Sequence, residues 1–438
     1  PPTVPESGVE NATESRQRQR GLTLAWTTEA PGRQTTLGLA LERSRTRFEQ
    51  TEAEGLLDAT RQVVDTEEEE TDALIRGRSR SQALYARSVV EVSPGAHLTL
   101  SGRWQQVRVT TVDLGRAELG LPTTLDGDAT YRRFNPAAGL SLALSPTLSA
   151  YGGLSQGSRA PSPIELGCSD PENACVLPNA LQSDPPLKQV VTTTWEAGLR
   201  GRLDAPGTWR WNLGLFRADN RDDLLFISNG RAAGYFANVA RTRRQGLEAG
   251  LEGRHGPWDL SASLALVQAS FRSAACLVAE SNSTAETDAA CPGDDEIAVR
   301  PGDRLPGIAA RQFKLEAGWR PGADWRLSAH WVAQSGVSLR GNENGRHEAD
   351  GTAFVGAGRT AGFGVLNLGL QWTPRPDWRV DLRVNNALAR TYATGGALAE
   401  NAFDAQGRLQ APADWRHEAF VAPSAPRSLH LGLNLRFD

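Results

Sequence analysis

The sequence contains no methionine, and its first residues are Pro1, Pro2 and Thr3. Neither a start residue nor a signal peptide is visible, so we expect a chain that was processed or truncated. The sequence also lacks an apolar run of about 18 residues, which excludes a transmembrane helix. A transmembrane β-barrel stays open, because its strands alternate in polarity and give no strong hydropathy peak.

An excess of charge of one sign is missing as well. The chain has 47 basic and 51 acidic residues, with a net charge of −4. We therefore do not expect a protein that binds nucleic acid through a basic field. Glycine and proline are plentiful, at 44 and 25 residues. This content is too rich in turn-forming residues for a helical bundle.

A short turn containing proline recurs seven times along the chain. Apolar residues alternate on both sides of each turn, as Leu22, Leu24 and Trp26 do before the first one. A period of two predicts half-buried strands, so the turns predict seven hairpins. The segment from Leu429 to Phe437 adds a fifteenth strand to these fourteen. The first prolines of the turns are Pro31, Pro94, Pro146, Pro206, Pro257, Pro321 and Pro374.

Between the hairpins the connections are mostly long and polar. A strict alternation of tight turns and long loops is typical of outer-membrane barrels, with periplasmic turns and extracellular loops. A soluble β-rich surface protein would lack this sidedness and would extract without detergent. The predicted connections are 49–75, 114–131, 156–190, 273–305, 339–361 and 389–426, with a shorter one near 229–234.

Tryptophan is concentrated near the tight turns. Eight of the twelve tryptophans lie within five residues of a turn proline. An indole ring prefers the membrane interface, so this clustering predicts an aromatic girdle at the turn end. Ordinary core tryptophans of a soluble β protein are the alternative. The eight are Trp26, Trp209, Trp211, Trp258, Trp319, Trp325, Trp372 and Trp378.

The last strand reads PRSLHLGLNLRF over residues 426–437. It resembles the terminal strand of TonB-dependent outer-membrane receptors, in which a glycine and alternating apolar residues ending in an aromatic form the barrel-assembly signal. Gly432, Leu435 and Phe437 match that signal. Four internal segments are similar to the same family in order and spacing. They are SQGSRAPSPIEL (155–166), YFANVARTRRQGLEAGLEG (235–253), RLPGI (304–308) and VNNALARTYAT (384–394).

The resemblance implies an all-β fold, a transmembrane antiparallel β-barrel with about 15 strands present of an expected 22. It implies that residues 1–438 are the N-terminally truncated barrel domain, and that a plug domain and about seven strands are missing. The implied function is import of a scarce ligand, most often a ferric siderophore, across the outer membrane of a Gram-negative bacterium. No catalysis, cofactor or resident metal is implied.

The implied partners are the TonB–ExbB–ExbD complex through the missing N-terminal part, the barrel-assembly machinery, outer-membrane lipid and lipopolysaccharide, and the small ligand. No nucleic acid is among them. Two further alternatives stay open, a passive porin-like channel and an outer-membrane enzyme barrel. The enzyme has little support, because the six histidines include no pair at i, i+4 and the sequence has no G-x-S-x-G.

The four cysteines fall into two local pairs. Cys168 and Cys175 share one predicted outer loop, and Cys276 and Cys291 share another. Even numbers and an extracellular position favour two disulfides, each restraining its loop by roughly 2–3 kcal/mol. A cysteine metal site is the alternative, although neither the spacing nor a nearby histidine supports it.

Arginine is the main indication of the ligand. Arginines at 43, 45 and 47 continue one face of a strand, those at 241, 243 and 244 begin a descending strand, and Arg159 begins a loop. An arginine-lined outer vestibule would attract anionic chelates. Pairing with neighbouring acids or with lipopolysaccharide phosphates is the alternative. Arg159 and Arg243 are the first candidates. The acidic runs 67–70 and 294–296 are expected to be solvated loops.

Overall fold

Fifteen long β-strands dominate the computed structural model. It describes residues 8–58, 62–115, 126–166, 175–176, 187–204, 206–228, 233–285, 287, 289–291, 293 and 295–437. The long strands are β1 (Gly8–Ala30), β2 (Arg33–Leu57), β3 (Glu70–Ser93), β4 (Ala96–Asp113), β5 (Gly127–Ser145), β6 (Leu148–Arg159), β7 (Val190–Leu203), β8 (Thr208–Ser228), β9 (Ala233–His255), β10 (Trp258–Phe271), β11 (Arg311–Gly322), β12 (Trp325–Gln334), β13 (Phe363–Arg375), β14 (Trp378–Asn385) and β15 (Ser428–Leu435).

Each long strand pairs antiparallel with the next one along the chain, so the sheet is a meander from β1 to β15. The seven predicted tight turns lie where the sequence placed them and close the seven hairpins. Several use a glycine with positive φ, including Gly32 and Gly207. The predicted count of fifteen strands and the all-β class are therefore confirmed.

One face of this sheet carries a continuous apolar belt. Residues that pair directly share a face, and the pairs Leu264↔Phe313, Leu327↔Leu370 and Trp372↔Val380 show apolar side chains opposite one another. Tryptophans near the turns stack across strands: the ring centroids of Trp258 and Trp319 are 5.6 Å apart. Many of these belt residues are exposed, which is the arrangement of a lipid-facing surface.

The opposite face, which we call the inner wall, is polar. Glu316 and His330 pair directly on it, and their side chains approach to 3.5 Å. Near the turns, Asp259 forms ion pairs with both Arg320 and Arg326. The alternation of apolar and polar residues along every strand thus separates a lipid-facing side from a wet interior.

Three outer connections fold together into a packed unit, which we call the cap and define as residues 272–310, 335–362 and 386–427. The sequence predicted polar loops here, but each connection contributes to a buried core. Ile297, Leu339 and Leu398, one from each connection, are fully buried. The cap contains the short strands Ala275–Val278, Glu296–Val299, Phe354–Val355, Ala393–Asn401 and Arg416–Pro423, and the 3-10 turn Pro412–Asp414.

The predicted loop over 49–75 is much shorter in the structure. Strand β2 continues to Leu57 and β3 begins at Glu70. The inner sides of both strand ends are buried, with Phe48 and Ile75 each 2% exposed, so the ladder extends beyond the apolar belt. The remaining short elements are Val63–Val64, the helical turn Pro163–Leu166, and Cys175–Val176 beside β9.

The two ends of the meander are sheet edges within the described residues. There β1 pairs only with β2, and β15 pairs only with β14. No helix in the described part of the chain is long and apolar enough to cross a membrane.

Candidate functional site

The cap is held together by hydrogen bonds between its segments. Asn282 donates through Nδ2 to the carbonyl of Gly341 at 2.7 Å, and Asn344 donates to Oγ1 of Thr284 at 2.8 Å. The guanidinium of Arg346 reaches the carbonyl of Ala298 at 2.9 Å. These contacts join residues that are 48 to 60 positions apart in the chain. The cap is therefore an ordered body at the outer end of the barrel.

A buried carboxyl group lies inside this cap. Glu343 is 1% exposed, and its Oε1 accepts a hydrogen bond from the amide of Gly341 at 3.1 Å. Its Oε2 has no partner within the described structure. Burial raises the pKa of Glu343 to about 7. Hydrogen bonds from the backbone amides of Gly341 and Glu343, and the positive charge of Arg340, lower the pKa but by less than burial raises it.

Two histidines flank an aromatic ring in the same region. The rings of Phe354 and His417 stack with centroids 5.0 Å apart, and His347 meets Phe354 edge-on at 5.9 Å. Nδ1 of His347 accepts from the amide of Ser283 at 3.2 Å. Burial lowers the pKa of His347, which favours the neutral ring that accepts this hydrogen bond.

The outer end of the inner wall carries a buried ion network on β8 and β9. Asp223 accepts from Nη1 of Arg244 at 2.9 Å and from the hydroxyl of Thr242 at 2.5 Å. Asn220 donates to both Asp223 and Thr242. The cap packs directly above it, where the guanidinium carbon of Arg340 lies 4.9 Å from the ring centre of Phe226. Beside this network, Ile227, Val239 and Phe271 of the strands pack with Leu277 and Ile297 of the cap in one buried apolar cluster.

Both predicted ligand-binding arginines are engaged in ion pairs. Arg159 contacts Glu165 at 2.6 Å, and Ser162 caps the helical turn that holds this carboxylate. Arg243 contacts Asp219 at 2.5 Å. Arg217 contacts the same carboxylate at 2.8 Å, so two arginines share Asp219.

The structure does not bring these two arginines together in one pocket. Arg243 lies on the same face of β9 as Leu247 and Leu251, which is the lipid-facing side. The arginines at 43, 45 and 47 likewise share the face of Leu37 and Leu41, outside the predicted vestibule. Arg244, which sequence reasoning named only as a neighbour, lies on the inner face of β9, and Arg159 lies on the inner face at the outer end of β6.

The cysteines of the second predicted pair lie in the cap. Cys276 and Cys291 form a disulfide that closes a loop within the cap segment 272–310. Glu296 lies close to them, but sulfur atoms bonded to each other are poor metal ligands. Cys168 and the side chain of Cys175 lie outside the described residues.

The terminal strand has a regular register up to its last residue. Gly432 lies opposite Asp381, and Leu435 lies opposite Trp378 on β14. The strand ends at Leu435, so Phe437 follows two residues beyond it and is 86% exposed. An exposed aromatic at a strand end is available for recognition by another protein.

Sequence reasoning did not find the cap cluster around Glu343 and His347. The run Asn342, Glu343, Asn344 and Gly345 has the composition of an ordinary exposed loop, so it gave no sign of burial. Its burial results from contacts between distant segments, and hydropathy along the chain does not encode such contacts.

Comparison with known proteins supports the architecture. The family model TonB dependent receptor-like, beta-barrel, matches residues 4–387. The siderophore receptor PiuA from Acinetobacter baumannii superposes with a TM-score of 0.67 at 13% identity over 97% of this chain. The ferric yersiniabactin uptake receptor FyuA from Yersinia pestis superposes at 0.66 with 12% identity over the whole chain.

The ferric citrate transporter FecA gives a TM-score of 0.63 at 14% identity over 99% of this chain. The match covers 56% of PiuA, 56% of FyuA and 57% of FecA, so this chain spans little more than half the length of these receptors. At such identities the superpositions show a shared fold, and the family match covers most of the sequence. The chain belongs to the family of TonB-dependent receptor β-barrels.

Proposed function

We propose that this chain is the larger part of an outer-membrane receptor that imports a scarce ligand with energy from TonB. The observation that carries the proposal is the two-sided sheet: an apolar belt outside, a polar wall inside, and an ordered cap over the end with long loops. An open channel would not need three outer connections joined to one another by hydrogen bonds, as Asn282 is to Gly341 and Ser281 is to His417.

The complete receptor would contain further strands and a plug. Strand β1 is 23 residues long and has one neighbour among the described strands, and such an edge would pair with other chains unless it were covered. Seven more strands would complete a 22-stranded barrel. The TonB–ExbB–ExbD complex would act on the part ahead of the plug, and the barrel-assembly machinery would recognise Gly432, Leu435 and Phe437.

A ferric siderophore is the ligand we propose first. PiuA is described as a siderophore receptor and FecA as a ferric citrate transporter, so related barrels accept ferric chelates. An anionic chelate entering the vestibule would meet Arg244 and its network. Iron is the cargo in this proposal and not a resident metal of the protein.

The test is uptake by the receptor with its complete barrel and plug. A Gram-negative host lacking its own siderophore receptors would express it and receive ferric siderophores labelled with radioactive iron. We expect accumulation that stops when TonB is deleted. Accumulation without TonB, together with open conductance in a planar bilayer, would instead identify a passive porin-like channel. Turnover of a substrate without transport would identify an enzyme barrel.

The roles of Arg159 and Arg243 need a separate experiment. If an anionic ligand displaces Glu165 or Asp219, replacing each arginine with alanine should weaken binding by about tenfold, the loss of one charge-assisted hydrogen bond. Titration of the purified receptor with ferric chelates would measure the affinity. Arg210→Ala near the tight turns is the control. Unchanged affinity in both variants would remove these residues from the ligand site.

A further inference from the structure

Nine arginines form a regular array on the lipid-facing side of the first three strands. Each arginine of β1 lies directly opposite one of β2, and each of those lies opposite one of β3, as Arg18, Arg45 and Arg78 do. The rows above and below repeat the pattern. We call this array the arginine grid, and its members are Arg16, Arg18, Arg20, Arg43, Arg45, Arg47, Arg76, Arg78 and Arg80.

The grid concentrates positive charge in a small area. Strands lie about 4.8 Å apart and alternate residues about 7 Å apart, so nine guanidinium groups share a patch of roughly 10 by 14 Å. Like charges directly opposite each other destabilise a sheet. All nine side chains are exposed, so the charge faces outward. An arrangement this costly suggests an anionic binding partner.

Internal carboxylates neutralise only one edge of the grid. Glu14 pairs with Arg16 and Glu49 pairs with Arg47, both at the end away from the belt. The other seven arginines form no ion pair within the described residues. By contrast, Arg217 and Arg243 on the same face of β8 and β9 both bind Asp219. Most of the positive charge of the grid is therefore not neutralised by carboxylates, whereas the charge of Arg217 and Arg243 is partly neutralised by Asp219.

The position of the grid identifies the class of anion. On β1 the apolar belt runs from Leu22 to Ala30 at the tight turn, and Arg20 follows it directly on the same face. A strand needs about 9–11 residues to cross the hydrocarbon core. The nine residues from 22 to 30 meet that length. The grid thus begins where the hydrocarbon ends, at the level of lipid headgroups on the side of the cap.

We propose that the arginine grid is a binding site for phosphorylated lipid headgroups of the leaflet on the cap side. Guanidinium groups bind phosphate oxygens through two parallel hydrogen bonds, and a lipid with several phosphates would span adjacent rows. Its acyl chains would lie on the exposed belt residues Leu24, Leu37 and Leu84 directly below. The site requires a membrane barrel but no particular imported ligand.

The experiment uses the receptor with its complete barrel, purified in neutral detergent and titrated with diphosphorylated lipid A. Native mass spectrometry would count bound lipid and give the affinity. The test variant carries Arg18→Gln, Arg45→Gln and Arg78→Gln, the middle row. The control carries Arg33→Gln, Arg254→Gln and Arg375→Gln, three exposed arginines at the tight-turn end with the same change in charge.

We expect the middle-row variant to bind roughly a hundredfold more weakly, since each basic residue near an anionic surface contributes about a fivefold factor. The control should bind as the unmodified receptor does. Equal binding by the middle-row variant, or equal binding of lipid A stripped of its phosphates, would overturn the site. Displacement of the lipid by millimolar inorganic phosphate would overturn it as well, by indicating a site for free anions.

Folding is checked separately. Folded barrels run faster than heated ones in a detergent gel, and each variant should retain that shift. If the glutamine variant does not fold, the corresponding Arg→Lys variant is used. It keeps the positive charge but cannot donate two parallel hydrogen bonds as a guanidinium does. It should bind with intermediate affinity, and unweakened binding would contradict guanidinium–phosphate recognition. Uptake of a siderophore is not measured here, so failure of this site and failure of the transport proposal are distinguishable.

Discussion

Glu343 is a carboxyl group inside a loop assembly, and it illustrates how single residues depend on the packed cap. Its Oε1 accepts one amide hydrogen bond and Oε2 lacks a partner. Burial therefore favours the protonated form and raises its pKa to about 7. The identity of this residue was visible in the sequence, but its environment was not, because the covering segments lie far away along the chain.

This pKa predicts how the cap responds to pH. The folded state retains a proton that the unfolded state releases near pH 4.5, so the contribution of Glu343 is complete below that value. It is lost as pH rises through about 7. The loss amounts to about 3 kcal/mol, from a difference of some 2.5 pKa units. Glu343→Gln stays neutral and should remove this dependence.

The measurement is the free energy of cap opening from amide hydrogen exchange at pH 5 and pH 8, corrected for intrinsic exchange rates. The unmodified cap should be weaker at pH 8, and the glutamine variant should be similar at both. Glu348→Gln is a suitable control, because this neighbour is exposed. Equal opening energies at both pH values in the unmodified protein would contradict a raised pKa.

Hairpin turns are the elements that the sequence specifies best. Glycines at 207 and 256 both have positive φ, at 81° and 55°. Their surroundings differ, however. A Cβ on Gly207 would lie 2.2 Å from the carbonyl oxygen of Arg254, whereas a Cβ on Gly256 would have no atom within 4 Å. A side chain at Gly256 would therefore cause backbone strain alone, whereas a side chain at Gly207 would cause both backbone strain and steric overlap.

Gly256→Ala is expected to cost about 1 kcal/mol, the penalty for a left-handed backbone. Gly207→Ala should cost about 2 kcal/mol or more, because β7 and β8 must also move away from β9. Urea-induced unfolding in lipid vesicles would give both values. Equal costs would mean that the turn absorbs the added methyl group without displacing the neighbouring strand.

At the scale of the whole molecule, the alternation of faces determines which surface meets lipid. Leu264 faces the belt near its middle, and the adjacent Ser263 faces the inner wall opposite Lys314. Leu264→Arg should lower stability by about 2–4 kcal/mol, the cost of a charge on a lipid-facing strand. Ser263→Arg should have a much smaller effect. Folding yields in vesicles would compare the pair, and similar losses would contradict the assignment of faces.

The local and periodic features of this protein can be derived from its sequence. A period of two decided which face of each strand is apolar, and proline with glycine decided where the seven hairpins turn. The strand count followed from these features, and the family was indicated by the resemblance of the last strand and of four internal segments. They depend on interactions within a few residues, so a linear sequence reveals them.

The tertiary structure alone decided what distant segments do together. It turned three polar loops into a cap with a buried Glu343, paired Arg159 and Arg243 with carboxylates, and placed Arg18, Arg45 and Arg78 in one row. Each outcome depends on strand register and on contacts between residues that are far apart in the chain. Those contacts are set by the summed packing of the whole sheet, which no local pattern of residues encodes.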